Sequence, residues 1–249
     1  MSKYTIISKR SQIGNNVRIG NYCIIHDDVI IHDNVEIEDY CTIGYPTPSA
    51  DGLPLVISNN SHIRSYSLLY QGSVFGENLK TGHRIMVREK TIAGKDLQIG
   101  SFCDIEGHSE IGHHVRLHSN VHIGQKSKIH NFVWIYPYVV LTNDPHPPSE
   151  GFIEGPEIFD YSVLATMSCI LPGVKVGRHA LVAAHSLVNR DVKENTVVAG
   201  VPAKYLCETK DILLRDGSGS AYPWTHHFHR GYPDSIISEW KKGYYDFEV

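Results

Sequence analysis

Several things that would each define a class are missing or scarce in this sequence. Its five cysteines form no Cys-x-x-Cys pair, and the odd count does not close into a disulfide framework, so a reducing compartment is expected. Long apolar runs are absent. The longest nearly unbroken one, Phe132 to Leu141, falls well short of the roughly 20 residues of a membrane helix. The opening MSKYTIISKR has no long apolar core behind its positive charges, so no signal peptide and a cytoplasmic setting are expected. Charge of one sign is also scarce. With 23 basic and 27 acidic residues the net charge is −4, which argues against nucleic-acid or membrane-surface binding through bulk charge. What remains is a chain of 249 residues, 41% apolar and 20% charged, long enough for one large domain or two small ones around a sizeable core.

The strongest signal is a repeat of six. From Ile13 the sequence reads IGNNVR, IGNYCI, IHDDVI, IHDNVE, IEDYCT, IGYPTP; the frame resumes at Ile57 and holds to His146, then runs again from Ile158 to Lys193. Of the 27 hexads, 24 begin with Ile, Leu or Val, the exceptions being Phe75, Thr81 and Ala93. The fifth residue is Val, Ala, Ser, Thr or Cys in 23, with Leu79, Ile85, Leu97 and Pro145 departing. A helix would place apolar residues three and four apart and a plain strand would alternate by two. A period of six suits short strands joined by tight corners. The large aliphatic fills a narrow interior, the fifth residue fits the corner, and the Gly found second in ten hexads relieves the turn. Stacked rungs then share one core that no single rung could bury.

This regularity resembles the hexapeptide-repeat family, which implies an all-β left-handed parallel β-helix with three hexads per coil. The 27 hexads then predict about nine coils and a prism roughly 40 Å long. Residues 49–56 and 147–157 break the frame by lengths that are not multiples of six, and both contain Pro and Gly, so they leave the prism as loops spanning 45–56 and 144–157. The expected organisation is a β-helix domain over 1–202 and a tail over 203–249. In the tail, KYLCETKDILLR is expected as a short helix and DSIISEWKKGYYDF as a second, with Asp234 as its cap. The tail is expected to pack across the prism or cap its end.

Cys23, Cys41 and Cys103 occupy fifth positions and read as interior filler; Cys169 and Cys207 show no sign of a nucleophile. Sixteen histidines raise the question of a metal. The zinc ligands of the gamma-type carbonic anhydrases, hexapeptide-repeat proteins themselves, are spaced by 36 and then five residues. His108, His113 and His118 supply the fives, but Gly72 and Glu77 stand where the first histidine would, so no metal is expected. His122 should stack over Asp104 and hydrogen-bond with it.

The stretch LTNDPHPPSEGF resembles the segment of maltose- and galactoside-type sugar acetyltransferases in which a His-Pro before a loop supplies the base, which would be His146 here. The following hexads, with ILPGVKVG and VVAGVPAK, resemble the coenzyme A segment of the same enzymes and their relatives. The resemblance implies acetyl-CoA as acyl donor. Backbone amides near Ala165 and Ala183 would meet the pantetheine and thioester, while Pro202 and Lys204 would lie near the phosphates. Asn143 and Asp144 would orient the acceptor, with His118 and His122 as substitutes for His146. The TND triplet resembles nucleotide-linked amino-sugar N-acetyltransferases. In the lipid A branch of acyl carrier protein-dependent enzymes the base would align near Gln125, which cannot act as one. The implied activity is acetyl transfer to the amine of an amino sugar, nucleotide-linked, for surface polysaccharide synthesis, in a homotrimer with sites between subunits. Transfer to a sugar hydroxyl, a zinc-dependent lyase and a non-catalytic scaffold stay open. Lys80, Arg84, Arg88, Lys90 and Lys95 are either a handle for a diphosphate or a solvated charged face.

Overall fold

In a computed structural model that describes residues 3–245, almost the whole chain winds into a three-faced parallel β-helix. Strands of two to five residues form sheets of ten, nine and eleven members. The first face carries Ile6–Ile7 through Leu187–Val188, the second Gln12–Ile13 through Lys175–Val176, and the third Arg18–Ile19 through Lys204–Glu208. Register advances by 18 residues per coil, as in Asp104 against His122 and Gln98 against Arg116. The family's left-handed β-helix is therefore the fold. The sequence predicts about nine coils, and the solenoid is slightly longer because regular pairing begins at Ile6–Ile7, ahead of the first hexad, and continues to Thr196–Ala199.

The hexad explains the interior. First-position residues such as Ile43, Ile57, Ile63 and Leu69 are fully buried, and so are the fifth-position Cys23, Cys41 and Cys103. Gly at the second position answers to a close approach between coils: a Cβ on Gly100 would lie 2.4 Å from the backbone of His118. The third position of most hexads is followed by a residue in the left-handed region. At the corner between second and third faces this residue is Asn16, Asn34, Asn60 and Asn78 in the early coils, then Asp96, His114, Phe132, Tyr161 and His179. Asn and Asp tolerate this conformation because their side chains bond locally.

The first interruption is partly folded, with a 3₁₀ helix at Pro48–Ala50, and Ala50 is buried. The second has no regular element between Val140–Leu141 and Glu157–Ile158. The tail departs from expectation at its start. Lys204–Glu208 is a strand, antiparallel to Thr196–Ala199, and only Thr209–Asp211 is helical, as one 3₁₀ turn. An unpaired edge on the last coil was available there, and pairing with it outweighs helix propensity. A second helix runs over Asp234–Tyr245 with Asp234 inside its first turn rather than as its cap, and residues 246–247 of the expected segment lie outside the described residues. Between them the tail crosses the third face, where Trp224 and Tyr232 are buried against Phe132, Trp134, Tyr161 and Val163. Arg116 fastens it: the guanidinium bonds Asp96 at 3.0 Å and the Gly231 carbonyl at 3.2 Å, and lies over the Tyr232 ring. Among the described residues no helix is long and apolar enough to cross a membrane.

Candidate active site

The residues singled out in the sequence fall into two groups, on two faces that meet at one edge. His122 is on the first face, at Asp104's neighbouring position on the next coil. Its Nδ1 is 3.4 Å from Asp104 Oδ2 and its Nε2 is 3.6 Å from Glu106 Oε1. The hydrogen bond to Asp104 raises the imidazole above its ordinary pKa, and the negative charge of Asp104 and Glu106 adds to the shift against partial burial. Glu106 also accepts from Asn143 Nδ2 at 3.1 Å and from the Gln125 N–H at 3.3 Å. Asn143 and His122 are thus joined through one carboxylate, which the sequence reading did not single out. A signal existed, since Asp104 and Glu106 flank a buried Ile105 and must both face outward.

Asp144 and His146 lie further along, in the loop. Asp144 accepts from the N–H of His146 at 3.0 Å and from the N–H of Ser149 at 2.9 Å, and also from the Ser149 hydroxyl. The Ser149 bonds hold its carboxyl below the usual range. Asp144 is therefore occupied as the keystone of a turn, and the His146 ring stands exposed on it.

The second group follows the edge where the third face turns into the first. His118, Tyr136, Ala165 and Ala183 occupy equivalent positions on successive coils, each donating its N–H to the next coil. The Ala165 and Ala183 amides are therefore spent: they bond Val182 O and Val198 O, both at 2.9 Å. The next N–H groups, those of Thr166 and Ala184, donate to no acceptor among the described residues. They lie one residue beyond Ala165 and Ala183. In a parallel ladder the residue leaving the strand still bonds the next coil, and only the one after it is released. His118 stacks on Tyr136 at 4.6 Å, and burial lowers its pKa. Further along the same axis, Pro202 and Lys204 are exposed, and Lys204 lines a cleft of about 620 Å³ with Arg190 and Lys193.

The mid-chain cations do not converge into a free cluster. Arg88 pairs with the buried Glu89, Lys90 with Asp51, and Arg84 lies over the Tyr66 ring. Among the described residues no three His, Cys, Asp or Glu side chains gather in a way that could hold a metal ion.

Residues 10–45 match the model of the bacterial transferase hexapeptide, six repeats. A Saccharomyces cerevisiae protein bearing an acetyltransferase name, YJL218W, is 32% identical over 133 residues, covering 49% of this chain and 65% of that protein. The 2,3,4,5-tetrahydropyridine-2,6-dicarboxylate N-acetyltransferase of Staphylococcus aureus is 36% identical over 94 residues, covering 37% of this chain and 33% of the enzyme. The chain thus spans between a third and two thirds of the length of these relatives. Among solved structures, a serine acetyltransferase in complex with cysteine is 27% identical with a TM-score of 0.40, over 44% of this chain and 42% of that one. The UDP-N-acetylglucosamine acyltransferase of Campylobacter jejuni is 12% identical with a TM-score of 0.45, over 96% and 81%. Residues 10–45 are thus similar to the hexapeptide-repeat transferases, and the same six-residue frame is carried through three continuous sheets.

Proposed function

We propose that the protein transfers an acetyl group from acetyl-CoA to the amine of an amino sugar, and that His122, rather than His146, is the base. The observation that carries this reading is the imidazole held on a rigid strand between Asp104 and Glu106, 3.4 and 3.6 Å away. A base oriented by a carboxylate on one ring nitrogen can accept a proton on the other. The same two carboxylates attract an acceptor that arrives as an ammonium ion, which favours an amine over a hydroxyl.

The chemistry balances within these groups. The ammonium first passes one proton to His122; the free amine then attacks the thioester carbonyl, the C–N bond forms as the C–S bond breaks, and the second proton shed by the nitrogen leaves with coenzyme A as its thiol. The developing oxyanion needs donors aimed at it in advance. The unbonded N–H groups of Thr166 and Ala184 provide them along one edge. Lys204, Arg190 and Lys193 line the cleft suited to the phosphates of the donor. From the Ala183 level to the His118 level is three strand spacings, about 14 Å.

Within one chain the donor track and His122 lie on opposite sides of an edge bearing Asn120, Tyr138 and Met167. A homotrimer in which one protomer's first face meets this edge of its neighbour would unite them, as the family resemblance implies. A nucleotide on the sugar and a role in surface polysaccharide synthesis belong to the same reading. The test is thiol release from acetyl-CoA over a panel of amino and hydroxy sugars, with and without a nucleotide. Turnover of amines, lost in His122→Gln and kept in His146→Gln, is the expected result. Turnover of hydroxyl acceptors alone would refute the amine assignment, and no release with any acceptor would refute acyl transfer.

A further inference from the structure

A second cavity, of about 300 Å³, lies between the third face and the tail, beside His118. Its walls are aromatic and are fixed by the fold itself. Trp134 donates its indole N–H to the Tyr232 hydroxyl at 2.9 Å, and Trp224 donates to the Tyr161 carbonyl at 3.2 Å. Both indoles therefore offer the cavity only ring surface. Trp134 meets Trp224 at 75° and Phe228 at 90°, so the walls stand at steep angles to each other rather than collapsing into a stack.

The polar groups on this lining are of a different kind. The hydroxyls of Tyr136 and Tyr222 and the ring nitrogens of His118 make no hydrogen bond to any described residue, and burial raises the phenols and lowers the imidazole. Arg230 is exposed and also lines the cavity; its guanidinium lies 6.0 Å from the Phe228 ring centre and bonds no carboxylate among the described residues. A ligand matching this lining has an apolar face for the rings, several neutral hydroxyls for the phenols and imidazole, and one anion for the guanidinium. The volume is at the small end of ligand pockets and suits a single ring.

We propose that this cavity binds the hexose ring of a phosphorylated sugar, with Arg230 on the phosphate. The ring packs against Trp134 and Trp224, its hydroxyls bond Tyr136, Tyr222 and His118, and whatever the phosphate carries extends into solvent past Arg230. The inference rests on the acyltransferase reading for the identity of the sugar as acceptor, and it moves the phosphate handle from the mid-chain cations, three of which are already engaged, to the tail.

Two of the three tryptophans of the chain line the cavity, so intrinsic fluorescence reports its occupancy directly. The full chain is titrated with glucosamine, glucosamine 1-phosphate and UDP-glucosamine, which separates a free sugar phosphate from a nucleotide-linked one, while calorimetry follows coenzyme A. Emission is expected to change with both phosphorylated ligands. Arg230→Gln should raise their Kd about tenfold or more, as loss of a charge-assisted bond does, and leave glucosamine within twofold. Tyr222→Phe should weaken all three ligands several-fold, and Lys175→Gln, a remote cation, none. Phosphorylated sugars that leave the emission unchanged, or that ignore Arg230→Gln, would overturn the site while coenzyme A binding kept the acyltransferase reading standing. Binding of neither coenzyme A nor any sugar would overturn both.

Discussion

The three first-position exceptions to the hexad make a packing argument that can be tested by exchange. Phe75 is the largest fully buried side chain, and on the second face it registers directly against Ala93 on the next coil. The third, Thr81, follows Phe75 one strand later in the same coil. Together Phe75 and Ala93 hold as many side-chain carbons as two isoleucines, the residues that the repeat would place there. Phe75→Ile alone removes three carbons from a site with no exposure and should cost about 2 to 3 kcal/mol, at roughly 0.8 kcal/mol per buried methylene plus a cavity contribution. Ala93→Ile alone forces three carbons against the Phe75 ring and should cost about 1 to 3 kcal/mol by overpacking. The double variant restores the total and should lie within about 1.5 kcal/mol of the parent, leaving a coupling of at least about 1.5 kcal/mol between the two sites. Urea midpoints at one fixed protomer concentration, followed by both fluorescence and circular dichroism, give the four corners of the cycle. Single effects that simply add in the double variant, to within about 0.5 kcal/mol, would refute the idea that Phe75 and Ala93 share one volume.

Three further outcomes bear on function. Because Asp104 raises His122, and the base must be neutral, kcat/KM for an amine should climb with pH through a value above the ordinary histidine pKa; Asp104→Asn should move the rise to lower pH and lower the plateau about tenfold. A rise unmoved by Asp104→Asn would place the titrating group elsewhere. Ala184→Pro removes an N–H that donates to no acceptor among the described residues, so coenzyme A should bind about 3- to 10-fold more weakly in calorimetry with little change in thermal midpoint; unchanged affinity would take this edge off the donor track. Arg116→Ala leaves Asp96 half-buried beside His114 alone and frees the Gly231 carbonyl, so amide exchange across residues 221–232 should accelerate well before the solenoid opens. Protection equal to that of the parent would mean that the aromatic contacts suffice.

How far the sequence could be read depended on whether a feature repeats. Ile43, Ile57 and Ile63 announce their burial because each is one of many equivalent positions, and so does Cys103 at the corner. The exceptions Leu79, Ile85 and Leu97 are buried too, in the same coils where Thr81 and Ala93 are small, so volume lost on the strand is regained at the corner. Nothing periodic marks Lys204–Glu208, whose partner strand is offered by the end of the solenoid rather than by its own residues. The donors one residue beyond Ala165 and Ala183 follow from which N–H the ladder leaves over, a property of the backbone that side-chain types do not display. His146 drew attention through its neighbours in sequence, whereas the pairing of His122 with Glu106 and of Glu106 with Asn143 brings together residues from three coils.

The corner between the second and third faces shows how the solenoid records where its tail belongs. The early coils put Asn in the left-handed position four times, at Asn16, Asn34, Asn60 and Asn78, where the residue asks for nothing beyond its own coil. From His114 to His179 the same position carries rings, which gain nothing locally from that conformation. They gain from each other and from the tail: Phe132 stacks on His114 at 4.9 Å and on Tyr161 at 4.8 Å, and meets Trp240 edge-on at 5.5 Å. Phe132→Asn would therefore relieve the backbone and still destabilise, by about 2 kcal/mol once the lost burial and two to three ring contacts are set against the eased corner. The same substitution at the exposed Tyr40, whose ring stacks on Tyr22 and Tyr66 in its own ladder, should cost less than half as much. Equal losses at the two corners would mean that ring stacking along the ladder, and not the tail, selects aromatics for this position.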